Sequence, residues 1–318
     1  MKKVLKVMTV AIMIFSIIGL TGCTKNNKND KLNIISTNYS GYDFARAITK
    51  DNDNVEVKML LKPGEESHDF EPTPQDIKDI KNSDIFIYVG GDSDDWIEDI
   101  LDNIDINKTK LIKLMDLVKI AQEEHIEGME DHEEDEDEEE DEVEYDEHVW
   151  TSPINAITIT NKLKDEVIKI DTNNKELYEK NTSNYVNELT NIDNEIKEIV
   201  KNGKRKEIIF GDRFPLRYFV DEYGLSYYAA FPGCSEQTEA SAKTLSFLID
   251  KVKTDNIPVV FHIEFSSGKI AAAIAKETGA KVLEFKTAHN ISNEDFDAGV
   301  TYVDIMKDNK KVLEEALN

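Results

Sequence analysis

Six side chains in this chain can offer an imidazole nitrogen: His68, His125, His132, His148, His262 and His289. A neutral imidazole gives one lone pair to a metal ion, and three of them with a carboxylate complete the tetrahedral shell that zinc favours. His68 follows the apolar run Val55–Leu60. His148 lies just past a long acidic stretch. His289 stands four residues beyond Phe285, at the end of another apolar run. Ligands of open α/β sheets bind beyond the carboxyl ends of the strands, so these three histidines in that register point to one metal site between two lobes. Ser241 and Thr244 have no His and Asp in a matching spacing, so a hydrolase triad has no support.

That register depends on the elements around it. Leu32–Ser36, Val55–Leu60, Ile85–Val89 and Lys110–Leu114 read as buried strands, with helical spacing over Tyr42–Thr49, Pro74–Ile80 and Trp96–Leu101 between them. Pro74 suits a first helical turn. Pro153–Ile170 reads as a helix opened after Thr151 or Ser152. Asn173–Val200 is a second helix, of about 42 Å at the usual rise, with Leu177, Tyr178, Tyr185, Leu189, Ile192, Ile196 and Val200 spaced in threes and fours. A further series follows. Its strands are Glu207–Phe210, Leu225–Ala229, Pro258–Phe261 and Lys281–Phe285; its helices are Pro215–Glu222, Glu239–Thr254, Lys269–Thr278 and Thr301–Leu317. The fold class is therefore α/β: two lobes, each a four-stranded parallel sheet with helices, joined by a long rigid helix. The lobes show no repeat at the level of sequence.

The chain of 318 residues carries 38 Lys and Arg against 65 Asp and Glu, a formal net charge of −27. Nucleic acid is excluded as a partner, because phosphate needs a basic face; a cation fits the balance better. From Glu123 to Glu147, 18 of 25 residues are acidic and none is Lys or Arg, which reads as a solvated loop over 120–147. His125 and His132 sit in it, as loose cation ligands without fixed geometry. At the other end, Lys2, Lys3 and Lys6 precede the apolar run Val7–Leu20, which has the length of a signal-peptide core and is short for a membrane span. Leu20-Thr21-Gly22-Cys23 resembles a bacterial lipobox, with Cys23 the lipid-bearing residue. Residues 1–22 are then a lipoprotein signal peptide and 23–30 a polar tether. The remainder divides into a first metal-binding lobe over 31–172, a linking helix over 173–202 and a second metal-binding lobe over 203–318.

Two motifs carry a family resemblance. Pro63-Gly64-Glu65-Glu66-Ser67-His68-Asp69-Phe70-Glu71-Pro72-Thr73-Pro74 resembles the first metal-binding motif of the zinc- and manganese-specific substrate-binding lipoproteins of ABC importers. Asp146-Glu147-His148-Val149-Trp150-Thr151-Ser152-Pro153 is similar to their second, which follows a His- and acid-rich loop. The long helix and Tyr218-Phe219 before Tyr223-Gly224-Leu225 fit as well. The resemblance covers essentially all of the chain after Cys23, and it implies that His68 and His148 are ligands from the first lobe. The second lobe departs from the pattern. The family's His or Glu ten residues before the Tyr of Tyr-Gly falls on Arg213, which has no lone pair to give. The family's final Asp falls in Lys286-Thr287-Ala288-His289-Asn290, where His289 is the natural candidate and restores three histidines. For a fourth ligand Glu264 is preferred over Asp212, with water as the alternative; Arg213 is then expected to pair with a carboxylate near the site. His262 is read as packed or paired, and Cys234 as a lone thiol, buried or a thiolate ligand.

The resemblance implies a monomeric, lipid-anchored, extracytoplasmic receptor that captures Zn2+ between its lobes and delivers it to the membrane permease of an ABC importer, with no catalysis. Manganese (Mn2+) is the alternative cargo, and would prefer two carboxylates over a third histidine. An adhesin-like surface protein is the alternative role. A zinc hydrolase would need a poised general base, for which there is no motif. The resemblance further implies that the acidic loop captures metal, weakly and without selectivity, because carboxylates suit hard cations better than zinc. A long helical strut allows only small rocking, which leaves release to a local change in the loops holding His148 or His289. Replacing Cys23 with Ala should abolish lipid anchorage, since acyl burial at roughly 0.8 kcal/mol per CH₂ supplies the membrane affinity. Detergent-phase partitioning checks this; equal partitioning of the variant with its signal peptide removed would refute the lipobox.

Overall fold

The computed structural model describes residues 31–66, 70–101, 104–130, 144–235 and 239–318. The signal segment, the tether, His68 and His132 lie outside the described residues. Among the described residues, eight strands form two four-stranded parallel sheets. The first holds β1 (Leu32–Ser36), β2 (Val55–Met59), β3 (Ile85–Tyr88) and β4 (Lys110–Lys113) in the order β2-β1-β3-β4. The second holds β5 (Glu207–Arg213), β6 (Ser226–Phe231), β7 (Val259–His262) and β8 (Lys281–Glu284) in the order β6-β5-β7-β8. The two orders are the same, so the lobes share a topology that the sequence conceals.

Helix ends follow local chemistry. In α1 (Tyr39–Thr49) the Asn38 side chain accepts from Gly41 N, which starts the helix three residues before the apolar spacing indicates. In α2 (Pro74–Asn82) Thr73 and Asp76 form a reciprocal capping box behind Pro74. The expected helix Trp96–Leu101 is instead a 3₁₀ segment, Asp92–Ile97, followed by one turn, α3 (Glu98–Leu101). The reason is Asp94, whose buried carboxylate accepts from the Val89 and Gly90 amides and ties this segment to the strand end.

α4 (Pro153–Ile170), capped by Ser152, packs on α5 (Lys175–Asn202). The second lobe adds α6 (Arg217–Tyr223), α7 (Ala242–Thr254), α8 (Lys269–Thr278), an unanticipated short α9 (Asn293–Ala298) and α10 (Tyr302–Leu317). Tyr178, Tyr185, Leu189, Ile192, Ile196 and Val200 of α5 are buried. One continuous apolar cluster runs from Ile34, Phe44 and Trp150 through Leu189 and Ile196 to Phe210, Phe261 and Phe285. The strut is thus a shared core element, and the lobes have no dry gap between them to act as a hinge.

The acidic stretch corrects the expectation of a wholly solvated loop. Asp146 and Glu147 are buried, as is Met129. Gln122 and Tyr145 pair as an antiparallel bridge, and Asp146 N donates to Ala121 O at 3.0 Å. Tyr218 of the second lobe clasps both limbs: its hydroxyl donates to Asp146 O at 2.6 Å and accepts from Ala121 N at 3.1 Å. Further along, Glu130 N donates to Ala230 O of β6 at 3.0 Å. Backbone groups and a few aliphatic and aromatic side chains supply this packing, so the acidic composition does not forbid it. No helix among the described residues is long and apolar enough to cross a membrane.

Because the core is shared, Leu189→Ala should destabilise both lobes together, by about 2–5 kcal/mol for a fully buried leucine. Thermal unfolding followed by circular dichroism and by tryptophan fluorescence should show one coincident transition at a lower temperature; two separated transitions would contradict a shared core.

Candidate metal centre

The carboxyl ends of both sheets face one another, and the segments leaving them build the site. After β4 and the acidic stretch the chain reaches Asp146, Glu147 and His148, all buried. His148 N donates to Asp146 Oδ1 at 2.8 Å, and the His148 ring places Nδ1 3.2 Å from the same oxygen. The ring is thereby oriented with Nε2 towards Glu147, 4.0 Å from Oε1. Glu147 Oε2 accepts from Ser93 N at 3.0 Å, and Oε1 meets the Ser93 hydroxyl. Gly91 makes room for this carboxylate: a Cβ there would lie 2.3 Å from Glu147 Oε2.

His289 comes from the loop after β8. Its backbone is held on both sides: His289 N donates to Thr287 Oγ1 at 3.2 Å, and His289 O accepts from Tyr39 N of the first lobe at 3.0 Å. The preceding Ala288 has φ 60°, a left-handed conformation that costs a non-glycine residue free energy. Ser40 Oγ donates to the Ala288 carbonyl at 2.6 Å and helps hold that turn. Trp150 packs against the His289 ring with centroids 4.9 Å apart, and its indole donates to Thr287 O at 2.9 Å. The His148 and His289 rings meet edge to face at 5.5 Å.

Ligand atoms of Glu147, His148 and His289 all lie within 4.8 Å of one another, and the three residues are buried. Glu264 lies outside that cluster but lines one cavity with His148 and His289, of about 20 Å³. Its two oxygens accept from Thr287 N and Thr287 Oγ1, each at 2.7 Å. Asp212 is engaged elsewhere, accepting from Ile263 N and Arg213 N and so bracing β5 against the end of β7. Arg213 pairs with Glu66 of the first lobe at 3.3 Å. His262 points its Nδ1 to the Ile263 carbonyl at 3.0 Å. His125 is exposed on the acidic limb. Glu147 is the member of the cluster that the sequence reading passed over; its adjacency to His148 was the available signal.

The electrostatics call for a cation. Burial pushes the Glu147 carboxyl up, against the pull of His148 and of the Ser93 contacts. Burial alone would drive the His148 imidazole down, but Asp146, then Glu147 and Glu123, carry it up. Burial, then the charges of Glu147, Glu123 and Asp146, push the Cys234 thiol up, so it stays protonated in the metal-free protein. A surrounding that holds a proton on His148 stabilises any cation placed there, and a metal ion displaces that proton.

Comparison with known proteins places this arrangement. A family model described as "Zinc-uptake complex component A periplasmic" matches residues 34–316. The chain is 34% identical over 290 residues to the high-affinity zinc uptake system protein ZnuA of Bacillus subtilis (strain 168), covering 90% of this chain and 88% of that one. It is 31% identical over 286 residues to the zinc-binding lipoprotein AdcA of Streptococcus pneumoniae (strain ATCC BAA-255 / R6), where it spans only 56% of the relative. Among solved structures, the metal-dependent lipoprotein YcdH of Bacillus subtilis superposes with a TM-score of 0.74 at 30% identity, covering 90% of this chain and 99% of that one. The Zn(II)-bound ZnuA-like domain of Streptococcus pneumoniae AdcA superposes with a TM-score of 0.72 at 28% identity, with coverage of 90% and 99%. With both the fold and nearly the whole sequence matched, the chain belongs to the zinc-uptake complex component A family, and is a two-lobed, extracytoplasmic, non-catalytic zinc receptor of an ABC importer.

Proposed function

We propose that this receptor holds its zinc ion with Glu147 and His148 from the first lobe and His289 from the second, with His68 completing the shell. The observation that carries the reading is the buried cluster of one carboxylate and two imidazoles drawn from both lobes, with ligand atoms within 4.8 Å. Three imidazoles and one carboxylate form a tetrahedral set suited to zinc. Glu264 stands behind His289 as a further carboxylate able to ligate directly or to brace Thr287. Manganese is the second reading, favoured by the presence of two carboxylates at the cavity. Cys23 bears the lipid that keeps the monomer beside its permease. His125 and His132 belong to an acidic segment that gathers cations weakly.

His148→Ala or His289→Ala should weaken zinc binding at least tenfold, about 1.4 kcal/mol, whereas His125→Ala and His132→Ala should leave the tight site unchanged. Isothermal titration checks this, and a His289→Ala protein binding like the wild type would remove the second-lobe half of the site. Zinc must expel the proton that His148 holds, so affinity should fall as pH is lowered, and the observed heat should depend on the ionisation enthalpy of the buffer. Competition between zinc and manganese decides the cargo.

Glu264 gives a prediction of opposite signs. Burial pushes its carboxyl from the ordinary 4.5 up to about 7. Between those values the folded chain binds more protons than the unfolded one, so this group makes the metal-free protein less stable as pH rises through the window. Glu264→Gln mimics the protonated form and should stabilise the metal-free protein at pH 8 by at most about 3 kcal/mol, with little effect at pH 4. If Glu264 ligates, the same variant should lose zinc affinity; unchanged affinity would assign Glu264 to bracing alone. Denaturant unfolding at the two pH values and zinc titration read both effects.

A further inference from the structure

Residues 62–66 of the first lobe are fastened to the second lobe at several points. Asn290 Nδ2 donates to Lys62 O at 2.8 Å and to Glu65 O at 2.7 Å. Gly64 N donates to Ile291 O at 2.8 Å, and Arg213 meets the Glu66 carboxylate at 3.3 Å. The Gly64 backbone, at φ +82°, comes so close that a Cβ would lie 2.8 Å from Asn293 Nδ2. Asn290 itself is 3% exposed. Its Oδ1 accepts from Ile291 N at 2.8 Å, so every polar atom of the amide is used. Turning the amide over would set its oxygen against two carbonyl oxygens, and the hydrogen-bond pattern therefore fixes its orientation.

Asn290 directly follows His289, and the 62–66 segment opens the first of the two motifs, Pro63 to Pro74. The lobes share one continuous core, so their metal-binding loops are registered by local contacts and not by a hinge. Lys62 O and Glu65 O have a single side chain of the second lobe donating to both. We propose that Asn290 is a positioning residue for zinc capture: its amide locks the 62–66 loop to the segment that carries His289, and the Arg213–Glu66 pair is a second, weaker fastening of the same loop. Loss of the amide frees the loop and shortens the time that zinc stays bound. The inference rests on the reading of Glu147, His148 and His289 as the zinc site.

The test compares the full chain with Asn290→Ala, Arg213→Ala, Glu66→Gln, the double variant Arg213→Ala/Glu66→Gln, and His289→Ala. Zinc dissociation is followed by stopped flow into excess chelator, with Gly64 amide exchange and metal-free melting measured alongside. Asn290→Ala should speed zinc dissociation about tenfold or more, the size expected from two buried hydrogen bonds, and accelerate Gly64 exchange; metal-free melting should fall as well, because the same bonds exist without metal. Arg213→Ala and Glu66→Gln should each speed dissociation a few-fold, and the effect of the double variant should be less than the product of the two single effects, because both remove the Arg213–Glu66 ion pair. A merely structural role for Asn290 would lower metal-free melting and leave zinc dissociation unchanged, so the dissociation rate decides between the two. If His289→Ala loses tight binding while Asn290→Ala frees Gly64 without changing dissociation, the clamp is wrong and the site stands. If His289→Ala binds zinc as the wild type does, the site reading falls and takes the clamp with it. Should Asn290→Ala not fold, wild-type dissociation in the Arg213 and Glu66 variants, despite faster Gly64 exchange, overturns the proposal.

Discussion

Asp146 and Glu147 are almost wholly buried between the lobes, and much of what surrounds them answers the cost of putting carboxylates there. A charge removed from water must be paired, hydrogen-bonded or neutralised. Ser93 donates twice to Glu147, the His148 amide and ring engage Asp146, and Gly91 lets the Glu147 side chain lie flat against the backbone. These contacts orient the carboxylates, and burial pushes the Glu147 carboxyl up. Beside them His148, His289 and Glu264 line a cavity of about 20 Å³. Zinc, which accepts imidazole nitrogen and low coordination numbers, suits the buried cluster of Glu147, His148 and His289.

The same constraint explains why the protein is built stiff. A metal shell tolerates only small errors in ligand position, and the buried Glu147–His148–His289 cluster draws on both lobes. The long helix Lys175–Asn202 is buried along one face and carries a continuous apolar core from sheet to sheet. Hydrogen bonds to backbone carbonyls then cross the interface beside the cluster: Tyr39 N to His289 O, Ser40 Oγ to Ala288 O, Trp150 Nε1 to Thr287 O, and Tyr302 OH to Trp150 O. The left-handed Ala288 is held in place by these bonds. Strain at a ligand-bearing turn persists only where the surroundings over-determine it, and here they come from both lobes.

The acidic segment is joined to this frame at its roots. Tyr218 clasps residues 121 and 146, Glu123 accepts from the Cys234 amide, and Glu130 continues along β6. Its two described ends are thus part of the wall around the metal site, and Glu123 contributes to the field that raises the His148 imidazole.

Strands and helices were legible in the sequence because their signals are local. Apolar runs of four or five residues, Pro74 and Pro153 in first turns, and the threes-and-fours spacing along the long helix each depend on neighbours within a few positions. The histidines beyond strand ends were legible for the same reason, since the chain direction of a parallel sheet decides which loops share an edge. Other features needed the folded chain. Glu147 belongs to the cluster because Gly91 and Ser93, more than fifty residues away, shape its place. Asp212, a plausible ligand by spacing, is consumed in joining two strands. Asn290 reaches Lys62 and Glu65, and Arg213 finds Glu66, only because two sheets of the same topology face each other by their carboxyl ends. Periodicity and caps report short-range free energies and so determined the elements; the partners of a buried polar atom are set by which surfaces meet, and that only the tertiary structure decided.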